Sequence, residues 1–254
     1  MDYYKRTDLA CERTGKEKEK YSVFTEAING IDCIASIYKD GEKTESITVC
    51  VGKIWQYSDE YFERAANTVS ICVDRLINES VPNADNILIV CLGNKGITAD
   101  SLGPLTGDKL IPTRHLASFR RRIGVLITGV EGQSGFTSTE LVQSSIKIWE
   151  PDMIIVIDSL CAGNSQRILT TVQISSKGIM PGSGAGRHKG EISLSTVGKP
   201  IISIGVPTVC EYLQQENKKT IEGVSDFYIS RLEIDEGIEA FSSLISSSVK
   251  KLYY

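Results

Sequence analysis

Asp100 and Asp158 each follow an apolar run that reads as a β-strand. The first comes at the end of a glycine-bearing loop, Gly93-Asn94-Lys95-Gly96-Ile97-Thr98-Ala99-Asp100, and the second comes directly after the run MIIVI. Open α/β sheets place their ligand sites beyond the carboxyl ends of the strands, so both carboxylates stand where a general base or acid would be useful. Each also has a plain structural reading. Asp100 can cap the helix that contains Pro104, and Asp158 can form a turn. A third loop, 129–135, follows another strand-like run and carries Glu131, Gly132 and Gln133 among three glycines. Its backbone amides could stabilise an oxyanion, or it could be a simple glycine-rich turn.

Other chemistries find less support. Only His115 and His188 exist, too few for a histidine-rich metal site, and neither stands in a hydrolase-like context. His115 reads either as a catalytic or substrate-region residue or as a helix-end histidine bonded locally. The stretch around Ser183, GSGAG, does not place the serine at the centre of a nucleophile elbow. No phosphate loop and no dinucleotide fingerprint is present, so no cofactor is expected. The seven cysteines are scattered without a CxxC pair, which reads as reduced thiols rather than a disulfide framework or a zinc site. The run Arg120-Arg121-Arg122 reads as a solvated surface.

Positioning these loops requires a sheet. Candidate strands at 87–92, 124–128, 153–158, 171–174 and 201–205 are rich in Ile, Val and Leu, as strands covered on both faces are. Helical spacing of apolar residues marks 59–78, a helix near 138–149 and a final amphipathic helix over 233–252. Two strand-like runs around Asp40-Gly41 form a hairpin signal. Residues 214–223 are polar and read as a surface loop or a short helix. The pattern predicts an α/β fold, a three-layer sandwich with a mostly parallel central sheet.

The chain has 254 residues, 41% apolar and 24% charged, enough for one sizeable core. Its net charge of −4 gives no general attraction to nucleic acid, and no apolar run approaches the roughly 20 residues of a membrane helix. The expectation is therefore no direct nucleic-acid partner and no membrane association. Residues 1–22 hold six basic and five acidic side chains and read as a mobile arm, leaving 23–254 as a single domain. The polar start lacks a signal-peptide core, which places the chain in the cytoplasm.

At these same loops the sequence resembles the germination proteases, spore endopeptidases that degrade small acid-soluble spore proteins. The resemblance is carried by Arg6-Thr7-Asp8-Leu9-Ala10, Leu92-Gly93-Asn94, the run from Thr98 to Pro104, and Thr113-Arg114-His115. It continues through Gly132-Gln133-Ser134-Gly135, Asp152, the strand ending at Asp158, the run from Thr170 to Ser175, the segment from Gly178 to Gly184, and Gly205-Val206-Pro207-Thr208-Val209. It implies an atypical aspartic-type protease whose two catalytic aspartates match Asp100 and Asp158. It further implies a zymogen whose propeptide is cut near the Asp8–Leu9 bond, a homotetramer, a location in the spore core, and a fold similar to the hydrogenase maturation proteases. Two other readings remain: a non-proteolytic sporulation protein that uses the scaffold for binding or assembly, and a metal-assisted protease. Relative to the family, the segment 210–232 is short.

Overall fold

A computed structural model of the chain describes residues 7–13, 18–39, 44–116, 118–179, 190–212 and 227–253. The Asp40-Gly41 turn, the polar stretch 214–223, Ser183 and His188 lie outside the described residues. In chain order the elements are α1 (Ala10–Arg13), β1 (Tyr21–Ile28), β2 (Ile31–Tyr38), β3 (Thr44–Cys50), α2 (Asp59–Ser80), β4 (Asn86–Leu92), α3 (Leu102–Lys109), β5 (Arg122–Gly129), α4 (Glu131–Ser134), α5 (Ser138–Trp149), β6 (Met153–Ala162), β7 (Thr171–Ser175), α6 (Leu194–Val197), β8 (Ile201–Tyr212), β9 (Phe227–Ile229) and α7 (Ile234–Lys250).

The nine strands form one sheet in the order β1-β2-β3-β7-β8-β6-β4-β5, with β9 added to β8. The fold class is α/β as expected, and the sheet is mixed. Strands β8, β6, β4 and β5 run parallel to their neighbours in this group. The β1–β2–β3–β7 side joins β8 through antiparallel pairs only. Burial follows position in the sheet rather than strand direction, since β3 and β7 are also buried along nearly their whole length and β5, at the parallel edge, is not. The central β4 and β6 are buried almost end to end, as parallel strands sandwiched by helices must be, whereas edge strand β1 is largely exposed.

Helices cover both faces. On one face α2, α3 and α7 pack together; α3 rests there through Gly107 on Ile127 and Cys91, and α2 reaches Glu45 of β3 through Arg75. On the other face Trp149 of α5 lies over Gly124, and α1 lies over Cys11's neighbour Thr48. Residues 124 and 127 of β5, like 45 and 48 of β3, point to opposite sides because side chains alternate along a strand. The helices have local reasons to start where they do: Ser58 caps α2, and Thr137 and Glu140 form a reciprocal capping box on α5.

Two expectations fail here. The first concerns the arm. Residues 7–13 are docked on the body: Leu9 is fully buried in the core, and the Asp8 amide donates to the Cys161 carbonyl at 2.9 Å. Glu12 accepts from the Gly163 and Asn164 amides at 2.6 and 3.1 Å, and its carboxylate faces Arg167 at 3.5 Å. Tyr21 and Ser22 already belong to β1. A charge-rich average over 22 residues hides one leucine and two carboxylates whose partners are main-chain amides far along the chain. The second concerns the basic run. Arg121 is only 1% exposed, and it donates to Asp74 Oδ1 at 2.8 Å and to the Ala84 carbonyl at 3.3 Å. A guanidinium with a carboxylate and a carbonyl to bind can be buried where a lone cation could not.

Candidate active site

The parallel strands deliver the two aspartates to the same end of the sheet. Strand β4 ends at Leu92, and the chain then turns through Gly93, whose φ of +116° is open to glycine. A side chain at 93 would also meet the Asp100 carbonyl oxygen at 2.1 Å, so the turn and the aspartate are packed backbone against backbone. The Asn94 amide donates to Asp100 Oδ2 at 2.9 Å and also to its carbonyl at 3.0 Å. From β8, Thr208 Oγ1 donates to the Ala99 carbonyl at 2.7 Å and ties the loop to the sheet. Asp100 does not cap α3: Ser101 occupies that position, without a side-chain cap bond.

Asp158 sits inside β6, level with Gly205 of β8, and is 6% exposed. Its Oδ1 accepts from the Ser159 amide at 2.8 Å. Burial raises its proton affinity well above that of an ordinary carboxylic acid, and the negative charges of Asp100 and then Asp8 raise it further, against the lowering effect of the Ser159 amide. Asp100 is raised too, by burial, with the Asn94 amide opposing. Two neighbouring carboxyls of unequal environment tend to divide one proton between them. Asp158, the more deeply buried and the closer to other negative charge, is the natural holder of that proton. Asp100 is the natural carboxylate.

The 129–135 loop reaches the same place. Gln133, at the end of short helix α4, donates through Nε2 to Asn94 Oδ1 at 3.0 Å, and the Gly96 amide donates to that oxygen at 2.9 Å. Gly93, Asn94, Glu131, Gly132 and Gln133 therefore line one end of the sheet with the aspartates. His115 does not join them. The Thr113 and Arg114 amides bind the Ile123 carbonyl, at the amino-terminal start of β5, so His115 is exposed at the opposite end of the parallel strands. A histidine in a loop before a strand is carried to that strand's beginning, and the sheet direction alone removes it from the site.

Sequence reasoning missed the closeness of the N-terminal segment to this pair. Asp8 Oδ2 accepts from the Cys161 amide at 2.9 Å, three residues beyond Asp158. Gln173 of β7 holds the same segment twice, donating through Nε2 to the Asp8 carbonyl at 3.0 Å and accepting at Oε1 from the Ala10 amide at 2.6 Å. A lone glutamine in a strand gives no sequence signal of such a contact. Among the described residues, no group of three or more His, Cys, Asp or Glu side chains could hold a metal ion, and no helix is long and apolar enough to cross a membrane. None of the seven cysteines forms a disulfide.

A family model described as germination protease matches residues 11–247. The chain belongs to the germination protease family. A germination protease of Clostridium acetobutylicum is 32% identical over 237 residues, covering 84% of this chain and 72% of the relative. Those of Priestia megaterium and Bacillus licheniformis are 32% and 31% identical, over 81% and 82% of this chain. The chain spans about half the length of the Priestia protein, 51%, and 64% of the Bacillus one. Among solved structures, a NiFe hydrogenase maturation protease, HycI from Thermococcus kodakarensis, aligns with a TM-score of 0.40 and 17% identity, over 69% of this chain and 99% of that one. Membership places this chain in a protease family.

Proposed function

We propose that this chain is an endopeptidase that begins the degradation of small acid-soluble spore proteins during germination, with Asp100 and Asp158 activating water. The observation that carries the reading is that the adjacent parallel strands β4 and β6 bring Asp100 and the buried Asp158 to the same end of the sheet, where the proton affinity of each is raised. In this mechanism ionised Asp100 takes a proton from water, whose oxygen adds to the scissile carbonyl carbon. Protonated Asp158 supplies a proton to the leaving amide nitrogen, and the carbon–nitrogen bond breaks. The resemblance extends the proposal to a homotetramer in the spore core, made as a zymogen.

Latency fits the docked N-terminal segment, which holds Asp8 on the Cys161 amide, three residues beyond Asp158, and buries Leu9. We place self-processing at the Asp8–Leu9 bond. Acidification favours it, because protonating carboxylates in the arm or the cleft weakens the charge pairs that hold the closed form and leaves one proton on the aspartate pair.

The test is incubation of the acid-processed protein with an acid-soluble spore protein, followed by mass spectrometry of the fragments, with Asp100→Asn and Asp158→Asn proteins alongside. Cleavage by the parent and none by either variant is the expected result. Cleavage by both variants would leave the aspartates structural. An intact substrate in every sample would favour a binding or assembly role, and loss of activity with a chelator would favour metal assistance.

A further inference from the structure

We propose that Gln173 is a catalytic residue of the self-processing cut, gripping the peptide on both sides of the Asp8–Leu9 bond and polarising the carbonyl that water attacks. The inference rests on the aspartate-pair reading above and adds to it the donor that such a pair lacks.

Three strands set up the geometry. Asp158 of β6 is level with Gly205 of β8, and Gly205 is level with Gln173 of β7. The three residues form one row across the sheet and share a face, since residues paired across strands point to the same side. The middle one has no side chain of its own, and Leu160 leans over it. Neighbouring strands lie about 4.8 Å apart, so Gln173 and Asp158 flank a strip roughly two strand spacings wide. The N-terminal segment lies over this face. Asp8 is bound to Cys161 on the Asp158 side through amide and carboxylate, and to Gln173 on the other side through its carbonyl.

The two bonds to Gln173 fix its orientation. A main-chain carbonyl can only accept and a main-chain N–H can only donate, so Nε2 must face the Asp8 carbonyl and Oε1 the Ala10 amide. The side chain is 8% exposed, so its amide is partly desolvated and held ready, the condition under which a hydrogen-bond donor best stabilises a developing oxyanion. When water adds to the Asp8 carbonyl carbon, the negative charge grows on the oxygen that already accepts from Nε2. Collapse of that adduct breaks the bond to the Leu9 nitrogen, which takes a proton from the aspartate pair. The products are the Asp8 carboxyl group and the Leu9 amine, and one water is consumed. Any substrate that follows the same path across β6 and β7 meets the same donor.

The experiment measures the first-order rate at which full-length chain gains a Leu9 terminus after an acid shift, in wild type, Gln173→Met, Gln173→Glu and Asp158→Asn. Amide exchange at Cys161, Gly163 and Asn164, recorded before the shift, reports docking of the segment through groups that do not touch Gln173. The expected result is a Gln173→Met rate reduced about 100-fold, the scale of losing one oxyanion donor, with protection at those three amides retained. Gln173→Glu should cut, but with a pH profile displaced to lower pH than wild type, because only the neutral carboxyl can donate. A Gln173→Met rate within threefold of wild type overturns the proposal. So does a slowing matched by an equal loss of amide protection, which would make Gln173 a mere anchor. A cut that occurs equally in Asp158→Asn, or fails in wild type, overturns the aspartate reading and the role of Gln173 together.

Discussion

The two ends of the parallel strands bury charge in opposite ways. At the amino-terminal end, Arg121 is buried against a carboxylate, Asp74, and a carbonyl, so the ion is paired. At the carboxyl-terminal end, Asp158 is buried within reach of the negative charges of Asp100 and Asp8, and the Ser159 amide donates to it. A paired buried charge serves the fold, and removing one partner is costly. A buried carboxyl among like charges costs stability when ionised and is retained for what its displaced pKa can do. Similar burial therefore serves the fold at one end and, in the function proposed above, chemistry at the other.

The largest expected effect is at Asp158. Asp158→Asn keeps the shape and removes the proton, so cleavage should fall by at least about 1000-fold, roughly 4 kcal/mol in activation free energy. The same change should stabilise the fold at neutral pH. Below the ordinary carboxylate pKa of about 4, folded and unfolded chains both hold the Asp158 proton and the residue contributes nothing pH-dependent. As pH rises, the unfolded chain ionises first while the folded one retains its proton, so stability is lost until the raised folded pKa is passed. Urea unfolding of parent and variant at pH 4 and pH 7 checks this: the variant's advantage should be greater at pH 7. An advantage equal at both values would mean that Asp158 is not held protonated.

At the other end the sign reverses. Asp74→Asn leaves Arg121 buried with a weaker partner, and Arg121→Met removes the ion but leaves the Ala84 carbonyl without its donor. Asp74 is itself 38% exposed, so the pair is only partly desolvated. We expect losses of about 2–3 kcal/mol for Asp74→Asn and less for Arg121→Met, which fills similar volume. Neither should change the specific activity of the folded fraction. A selective loss of activity with stability intact would mean that the two ends are coupled.

Gly93→Ala is a smaller but more local test. The added methyl would strike the Asp100 carbonyl and force a left-handed backbone on alanine, costing about 1–2 kcal/mol. Because it displaces Asp100 itself, activity should fall about tenfold beyond the loss of folded protein, read as the rate per folded molecule from matched unfolding curves.

The sequence carried the sheet well because parallel strands are apolar on both faces. The runs at 87–92 and 153–158 lie within β4 and β6, and the helix at 138–149 matches α5 residue for residue. It carried both aspartates for the same reason: each follows a buried run, and topology sends it to one end. Other features were illegible for a common cause, that their partners are remote. Strand β1 is an exposed edge with no alternation to reveal it, and the extension of β8 past Pro207 depends on β6 and β9. Leu9, Glu12, Arg121 and Gln173 each find partners tens of residues away, and no local pattern announces such contacts.

The smallest expected effect is at His115. Its loop lies beside Thr113-Arg114, where Arg114 stacks 5.2 Å from the Trp149 ring and the backbone is pinned to Ile123 at the start of β5. Exposed there, across the sheet from the carboxyl ends that hold Asp100 and Asp158, an imidazole has no path to the reacting carbonyl. His115→Ala should therefore leave the cleavage rate within about twofold and stability within about 0.5 kcal/mol, the usual range for a surface substitution. The pH profile of cleavage between pH 5 and 8 is the sharper measurement. An unchanged profile would leave the pH response to the carboxyls at the other end. A limb of the profile lost in His115→Ala, with folding unaltered, would show that the amino-terminal end also takes part in the chemistry and would break the division between the two ends.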